Sequence, residues 1–124
     1  MESDILVADD SAAIRKILQR VLRQTGMSIG AIHEAGDGQE ALDFLKTHPV
    51  RMILTDINMP KMDGYEVIRQ LRQNPRHKTT PILVLTTESD ADKRTLARSA
   101  GATGWMVKPF DPESLVATIR RVSP

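Results

Sequence analysis

The chain has no cysteine, which excludes disulfides and thiol catalysis and fits a reducing compartment. Aromatic residues make up only 3%, too few to favour a stacked ring cofactor such as a flavin. No apolar run approaches the roughly 20 residues of a membrane-spanning helix. The start, Met1-Glu2-Ser3-Asp4, lacks the basic flank of a secretory signal. Neither sign of charge dominates: the net charge is +1, so no bulk field draws the chain to nucleic acid or a membrane surface. The short basic clusters Arg76-His77-Lys78 and Arg120-Arg121 have no interleaved aromatics and read as solvated surface. Linkers, low-complexity stretches and composition shifts are also missing. Residues 1–124 are therefore expected to form one soluble, cytoplasmic domain, long enough to bury roughly two thirds of its unfolded surface.

What is present is alternation. Short apolar runs (Ile5 to Ala8, Gly30 to Ala35, Met52 to Leu54, Ile82 to Leu85, Trp105 to Val107) are separated by helix-period segments. Ser11 is an N-cap for the first helix, whose stripe is Ile14, Ile17, Leu18, Val21 and Leu22. Asp37 with Glu40, and Asp63 with Glu66, have capping-box spacing. Ser89 or Asp90 starts the fourth helix and Gly101 ends it, while Asp111-Pro112 opens the fifth, with Leu115, Val116 and Ile119 on its buried face. Five strands alternating strictly with five helices predict an α/β fold: a doubly wound parallel sheet with right-handed crossovers.

The polar residues that follow the runs carry the chemistry. Asp9-Asp10, Asp56, Thr86 and Lys108 each follow or close a different strand, so a parallel sheet delivers them to one edge, where open α/β sheets bind ligands. Alone, each has an ordinary role as a cap, turn or loop residue; four strand ends that together supply one phosphoryl-transfer site argue otherwise. Two carboxylates about 5 Å apart repel by roughly 3 kcal/mol at an effective dielectric near 20, so the cluster calls for a proton or a cation. Carboxylate oxygens on an open edge suit Mg²⁺, with room left for a phosphate oxygen. In that setting Asp56 can act as a nucleophile and form an acyl phosphate. Lys108 and Mg²⁺ bear on the phosphoryl oxygens, and Thr86 can donate a hydrogen bond to one of them.

At these residues the chain resembles the receiver domains of bacterial two-component response regulators, most of all the stand-alone chemotaxis type. The likeness spans the whole chain through Asp9-Asp10, Asp56-Ile57-Asn58-Met59-Pro60, Met62-Asp63-Gly64, Thr86, Ala100-Gly101-Ala102 and Lys108-Pro109-Phe110. It implies a flavodoxin-like sheet in the order 2-1-3-4-5. It implies Asp56 as phosphoacceptor, Asp10 as a direct Mg²⁺ ligand, Asp9 acting through water, and the Asn58 backbone carbonyl as a further ligand. It also implies that Lys108 pairs with the phosphoryl group, that the Lys108–Pro109 peptide is cis, and that Thr86 swings inward with Trp105 following. Asn58 and Glu88 occupy the positions that tune phosphate lifetime. Trp105 departs from the family, where Tyr or Phe is commoner, and the larger indole can hinder an inward rotamer.

The expected function is a phosphorylation-activated switch, not an enzyme beyond its own phosphorylation and autodephosphorylation. Its expected partners are a histidine kinase and, in chemotaxis, the flagellar motor switch protein or a phosphatase; unphosphorylated, it would be a monomer. A phosphate sink or phosphorelay intermediary stays open, as does a receiver cut from a longer DNA-binding regulator. A Mg²⁺-dependent aspartyl-phosphate phosphohydrolase is the rival from another class. That chemistry usually places a D-x-D motif after the first strand, where this chain has adjacent aspartates.

Overall fold

The computed structural model describes residues 3–87 and 91–123. Among them the order is β1 (Ile5–Ala8), α1 (Ala12–Arg23), β2 (Ile32–Ala35), α2 (Gly38–Leu45), β3 (Met52–Thr55), α3 (Gly64–Gln73), a 3₁₀ turn (Pro75–His77), β4 (Ile82–Thr86), α4 (Ala91–Ala100), β5 (Gly104–Val107) and α5 (Pro112–Val122). The strands form one sheet in the order β2-β1-β3-β4-β5, and every pairing is parallel. This is the doubly wound fold expected from the sequence.

Strand periodicity sorts the core into two layers. In β1, Ile5 and Val7 face α1 and α5, packing with Leu18, Val21, Leu22, Leu115 and Ile119. Leu6 and Ala8 face the other way, toward Ala41, Leu42, Leu45, Val67, Ile68 and Leu71 of α2 and α3. Both faces are covered, so β1, β3 and β4 are buried throughout and read as continuous apolar runs instead of alternating ones.

The caps form as the spacing predicts. The side chains of Ser11, Asp37, Asp63 and Asp111 accept from the N–H of Ile14, Glu40, Glu66 and Ser114. Gly101 ends α4 at φ 117°, a conformation that favours glycine. Three details differ from expectation. β2 begins at Ile32, not Gly30, because Gly30 pairs its N–H with the carbonyl of Ser3, which lies ahead of β1 and outside the ladder. Ile17 is 41% exposed, on the outer margin of the α1 stripe. Val116 is only partly buried. The two candidate caps of α4, Ser89 and Asp90, lie outside the described residues.

Candidate functional site

Alternation along the strands extends past their ends. Ile5, Val7, Asp9 and Met52, Leu54, Asp56 keep the same parity, and Met106 sets that parity for Lys108. The ladder pairs Ala8 with Thr55, and the Asp56 N–H bonds the Ala8 carbonyl at 2.9 Å. Asp9 and Asp56 are thereby brought side by side. Lys108 arrives from β5, its N–H held by the Thr86 carbonyl at 2.7 Å, and its peptide bond to Pro109 is cis.

The side chains converge. Lys108 Nζ donates to Asp9 Oδ2 at 2.6 Å and to Asp56 Oδ2 at 3.1 Å. Asp9 is 1% exposed and Asp56 7%. Asp56 Oδ1 accepts from the N–H groups of Ile57 at 2.7 Å and Asn58 at 3.3 Å. Asp9 Oδ1 accepts from the Ser11 N–H at 2.9 Å. Burial pulls the Lys108 pKa down, but the hydrogen bonds and charges of Asp9 and Asp56 outweigh it and leave the pKa raised, so Lys108 is a cation at neutral pH. Two carboxylates share this one ammonium, and Asp10 adds a third.

Asp10 is exposed, and one oxygen from each of Asp9, Asp10 and Asp56 lies within 4.8 Å of the others. Hard, anionic oxygens at this spacing on an open edge fit Mg²⁺, which keeps part of its water shell and accepts one or two direct carboxylates. The loop after Asp56 is held close: the Gly64 N–H bonds the Ile57 carbonyl at 2.8 Å. A Cβ on Gly64 would sit 2.5 Å from the Asp56 carbonyl oxygen and 2.7 Å from Ile57 Cα, so only glycine permits this approach. Asn58 is exposed and lies in the same loop, its backbone beside the Asp56 carboxylate.

Thr86 and Trp105 belong to the opposite parity. Val84 pairs with Trp105 and Thr86 with Val107, so Thr86 and Trp105 are diagonal neighbours on the face covered by α2, α3 and α4. Thr86 is fully buried. Trp105 is partly buried against that core, and its indole Nε1 is buried with no hydrogen-bond partner among the described residues. Glu88 lies outside the described residues.

Sequence reasoning missed Arg15. Its guanidinium donates from Nη1 to the Asp9 carbonyl at 2.6 Å and from Nε to Glu34 Oε1 at 2.9 Å. The signal was legible: the first turn of α1 contains no acid, and a cation just after it opposes the helix dipole unless something nearby compensates.

Comparison with known proteins agrees with this geometry. The response regulator receiver domain family matches residues 5–120. The probable transcriptional regulator ycf27 of Porphyridium aerugineum is 41% identical over 118 residues, covering 95% of this chain and 47% of that protein. The chain thus spans about half the length of the curated relatives it matches. The chemotaxis response regulator CheY4 of Vibrio cholerae superposes with a TM-score of 0.88 at 39% identity, over 98% of this chain and 99% of that one. The receiver domain of the sensor histidine kinase PA1611 from Pseudomonas aeruginosa is 25% identical, with a TM-score of 0.84 over 98% and 97% of the two chains. That structure has a magnesium ion coordinated in its active-site cleft.

Proposed function

The chain belongs to the response regulator receiver domain family, and from that premise we propose that it is a two-component signalling switch whose phosphoacceptor is Asp56. The observation that carries this reading is the convergence of Lys108 on both Asp9 and Asp56 beside the exposed Asp10. A Mg²⁺ ion held by Asp10, Asp56 and the Asn58 backbone carbonyl, with Asp9 acting through water, would polarise the phosphoryl oxygens and offset the local negative charge.

A carboxylate oxygen of Asp56 attacks the phosphorus of a histidine kinase's phosphohistidine. The P–N bond breaks, its electron pair returns to the imidazole, and the imidazole takes up a proton. Main-chain N–H groups hold the carboxylate in line, and Lys108 follows the charge onto the phosphoryl oxygens. Asn58 and Glu88 tune the lifetime of the acyl phosphate, as polar side chains that guide or obstruct the water that later hydrolyses it.

The output follows from the opposite face. Thr86 turns its hydroxyl to the phosphoryl group, and Trp105 moves into the space released. A buried donor without a partner costs roughly 1–3 kcal/mol, so the unpaired indole N–H of Trp105 favours a second arrangement in which it finds an acceptor. The chain then acts by population shift, as one receiver domain that is monomeric before phosphorylation. Likeness to CheY4 favours a chemotaxis output through the flagellar motor switch protein, with a phosphatase ending the signal. Likeness to ycf27 favours a second reading, a receiver that governs transcription.

Incubation with Mg²⁺ and acetyl phosphate, followed by intact-mass measurement, tests the chemistry. One phosphoryl group should be added, and none to Asp56→Asn. An unchanged mass, or equal addition to Asp56→Asn, would refute the assignment. Capture of the motor switch protein by the phosphorylated form alone would select the chemotaxis output.

A further inference from the structure

Asp9 is held on three sides. Its carboxylate takes the Ser11 N–H at 2.9 Å and Lys108 Nζ at 2.6 Å, and its carbonyl takes Arg15 Nη1 at 2.6 Å. The last ladder pair of β1 with β2 is Ala8 with Ala35, so the Asp9 carbonyl lies beyond the sheet and Arg15 supplies the donor that the ladder no longer does. The guanidinium also passes Gly36 at ordinary van der Waals distance, 3.7 Å from where a Cβ would stand to Nη1. Glu34, one residue before the end of β2, fixes the guanidinium from its other side at 2.9 Å.

Asp10 is the opposite case. It is exposed, and its carboxylate makes no hydrogen bond or ion pair among the described residues. Its direction is therefore inherited from the backbone, specifically from the plane of the Asp9–Asp10 peptide. That plane contains the carbonyl that Arg15 grips.

We propose that Arg15 is a positioning residue for the acidic cluster: by clamping the Asp9 carbonyl it orients the Asp9–Asp10 peptide and so aims the Asp10 carboxylate at the cation position, with Glu34 as its anchor. This inference rests on the reading of Asp9, Asp10 and Asp56 as a Mg²⁺ site. It makes Arg15 an outer partner of the site rather than a ligand, a kind of residue whose loss typically weakens metal affinity by tenfold or more.

The sign of the effect separates positioning from charge. Removing a nearby cation by itself tightens binding of a divalent cation, whereas removing a clamp weakens it. Calorimetric titration of the unphosphorylated chain with Mg²⁺ reads this without any turnover. Arg15→Ala is expected to raise the dissociation constant about tenfold. Arg15→Lys, which keeps the charge and one donor, should recover part of that loss. Glu34→Gln, which keeps an acceptor for Nε, should weaken binding less than Arg15→Ala does, and it disturbs the fold least. Equal or tighter binding by Arg15→Ala overturns the proposal, as does a Glu34→Gln effect larger than that of Arg15→Ala. If the unchanged chain binds no Mg²⁺, the site reading falls and the inference falls with it. Binding by the unchanged chain with unaltered affinity in Arg15→Ala refutes the inference alone.

Discussion

The two ends of the sheet use the same kinds of side chain in opposite ways. At the leading edge, where helices finish and strands begin, the connecting segments carry carbonyls that no α-helix or strand ladder satisfies. Arginines close them off. Arg23 donates to the Ile29 and Gly30 carbonyls, Arg51 to Ser28 and Arg120 to Thr25. Arg72 donates to the carbonyls of His77, Lys78, Thr80 and Gly101. At the trailing edge helices begin, and acids gather where the dipoles favour them. Asp37, Asp63 and Asp111 are used up as caps. Among the described residues, the Asp9 and Asp56 carboxylates share one side-chain cation, Lys108, and the Asp10 carboxylate pairs with none. A saturated edge contributes stability. An edge left short of positive charge is poised for chemistry, because a cation or phosphoryl group completes it.

That contrast predicts a double dissociation. The largest expected effect is at Lys108. Removing one preorganised electrostatic group from a reacting centre typically costs about 10²–10³-fold in rate, so Lys108→Ala should slow phosphorylation of Asp56 by at least about 100-fold while the chain stays folded. Stopped-flow measurement with a small phosphodonor reads it, and a near-native rate would break the comparison. Next in size is Arg72→Ala. It strands four carbonyls and loses a longer contact to the Thr103 hydroxyl, a cost of about 3 kcal/mol. The urea midpoint should fall with an unchanged slope, while phosphorylation at low temperature proceeds normally. Lost phosphorylation in a folded Arg72→Ala chain would show that the two edges are not separable.

The trailing edge was largely legible in the sequence because its logic is local. A strand end fixes where Asp9, Asp56 and Lys108 stand, and parity fixes which way they face. Asp56, Asp9 and Lys108 were each placed by counting along a run of apolar residues. The leading edge was not legible. Arg72 reaches Gly101 from 29 residues away and Arg120 reaches Thr25 from 95, distances over which no spacing rule operates. Arg76-His77-Lys78 read as a basic surface cluster, yet His77 is fully buried. Arg15 had a local signal in the acid-free first turn of α1, but its partners could not be read from spacing: Asp9 and Glu34 are neighbours only because β1 pairs with β2. The grade of burial along α1 also escaped the pattern, since Ile17 differs from Leu18 in its position around the helix and not in its chemistry.

His77 sharpens the comparison through pH. The Leu45 carbonyl can only accept, so Nε2 carries the proton of that 2.9 Å bond, and Nδ1 faces the Thr80 hydroxyl at 3.3 Å. Burial holds the pKa below its ordinary 6.5, with the charges of Arg76 and Arg72 adding to the effect against the opposing pull of the Leu45 bond. The unfolded chain therefore takes up this proton first as pH falls below about 6.5, and stability declines in that direction. Urea midpoints at pH 7.5 and 5.5 should fall further in the unaltered protein than in His77→Gln. His33 and His48 are common to both chains and cancel, so equal declines would locate the titration elsewhere.

The smallest expected effect tests whether an acid at the leading edge is as fully used as the arginines there. Asp4 accepts from His33 Nε2 at 2.9 Å and from the Ala31 N–H at 2.9 Å. The His33 bond, then the Ala31 bond, lower its pKa from 3.8 to about 2. A carboxylate stabilised in the folded state contributes stability above its unfolded pKa and loses it as pH falls through the folded value. Asp4 should thus hold the start of β1 to β2 at any pH above 3.8 and release it only toward pH 2. Carboxyl chemical shifts followed by NMR should show this low midpoint, and His33→Ala should move it upward while the Ala31 bond keeps it below 3.8. An Asp4 that titrates at its ordinary value would mean that both partners are nominal. The leading edge would then hold an acid as under-used as Asp10, and saturation would no longer separate the structural end of the sheet from the chemical one.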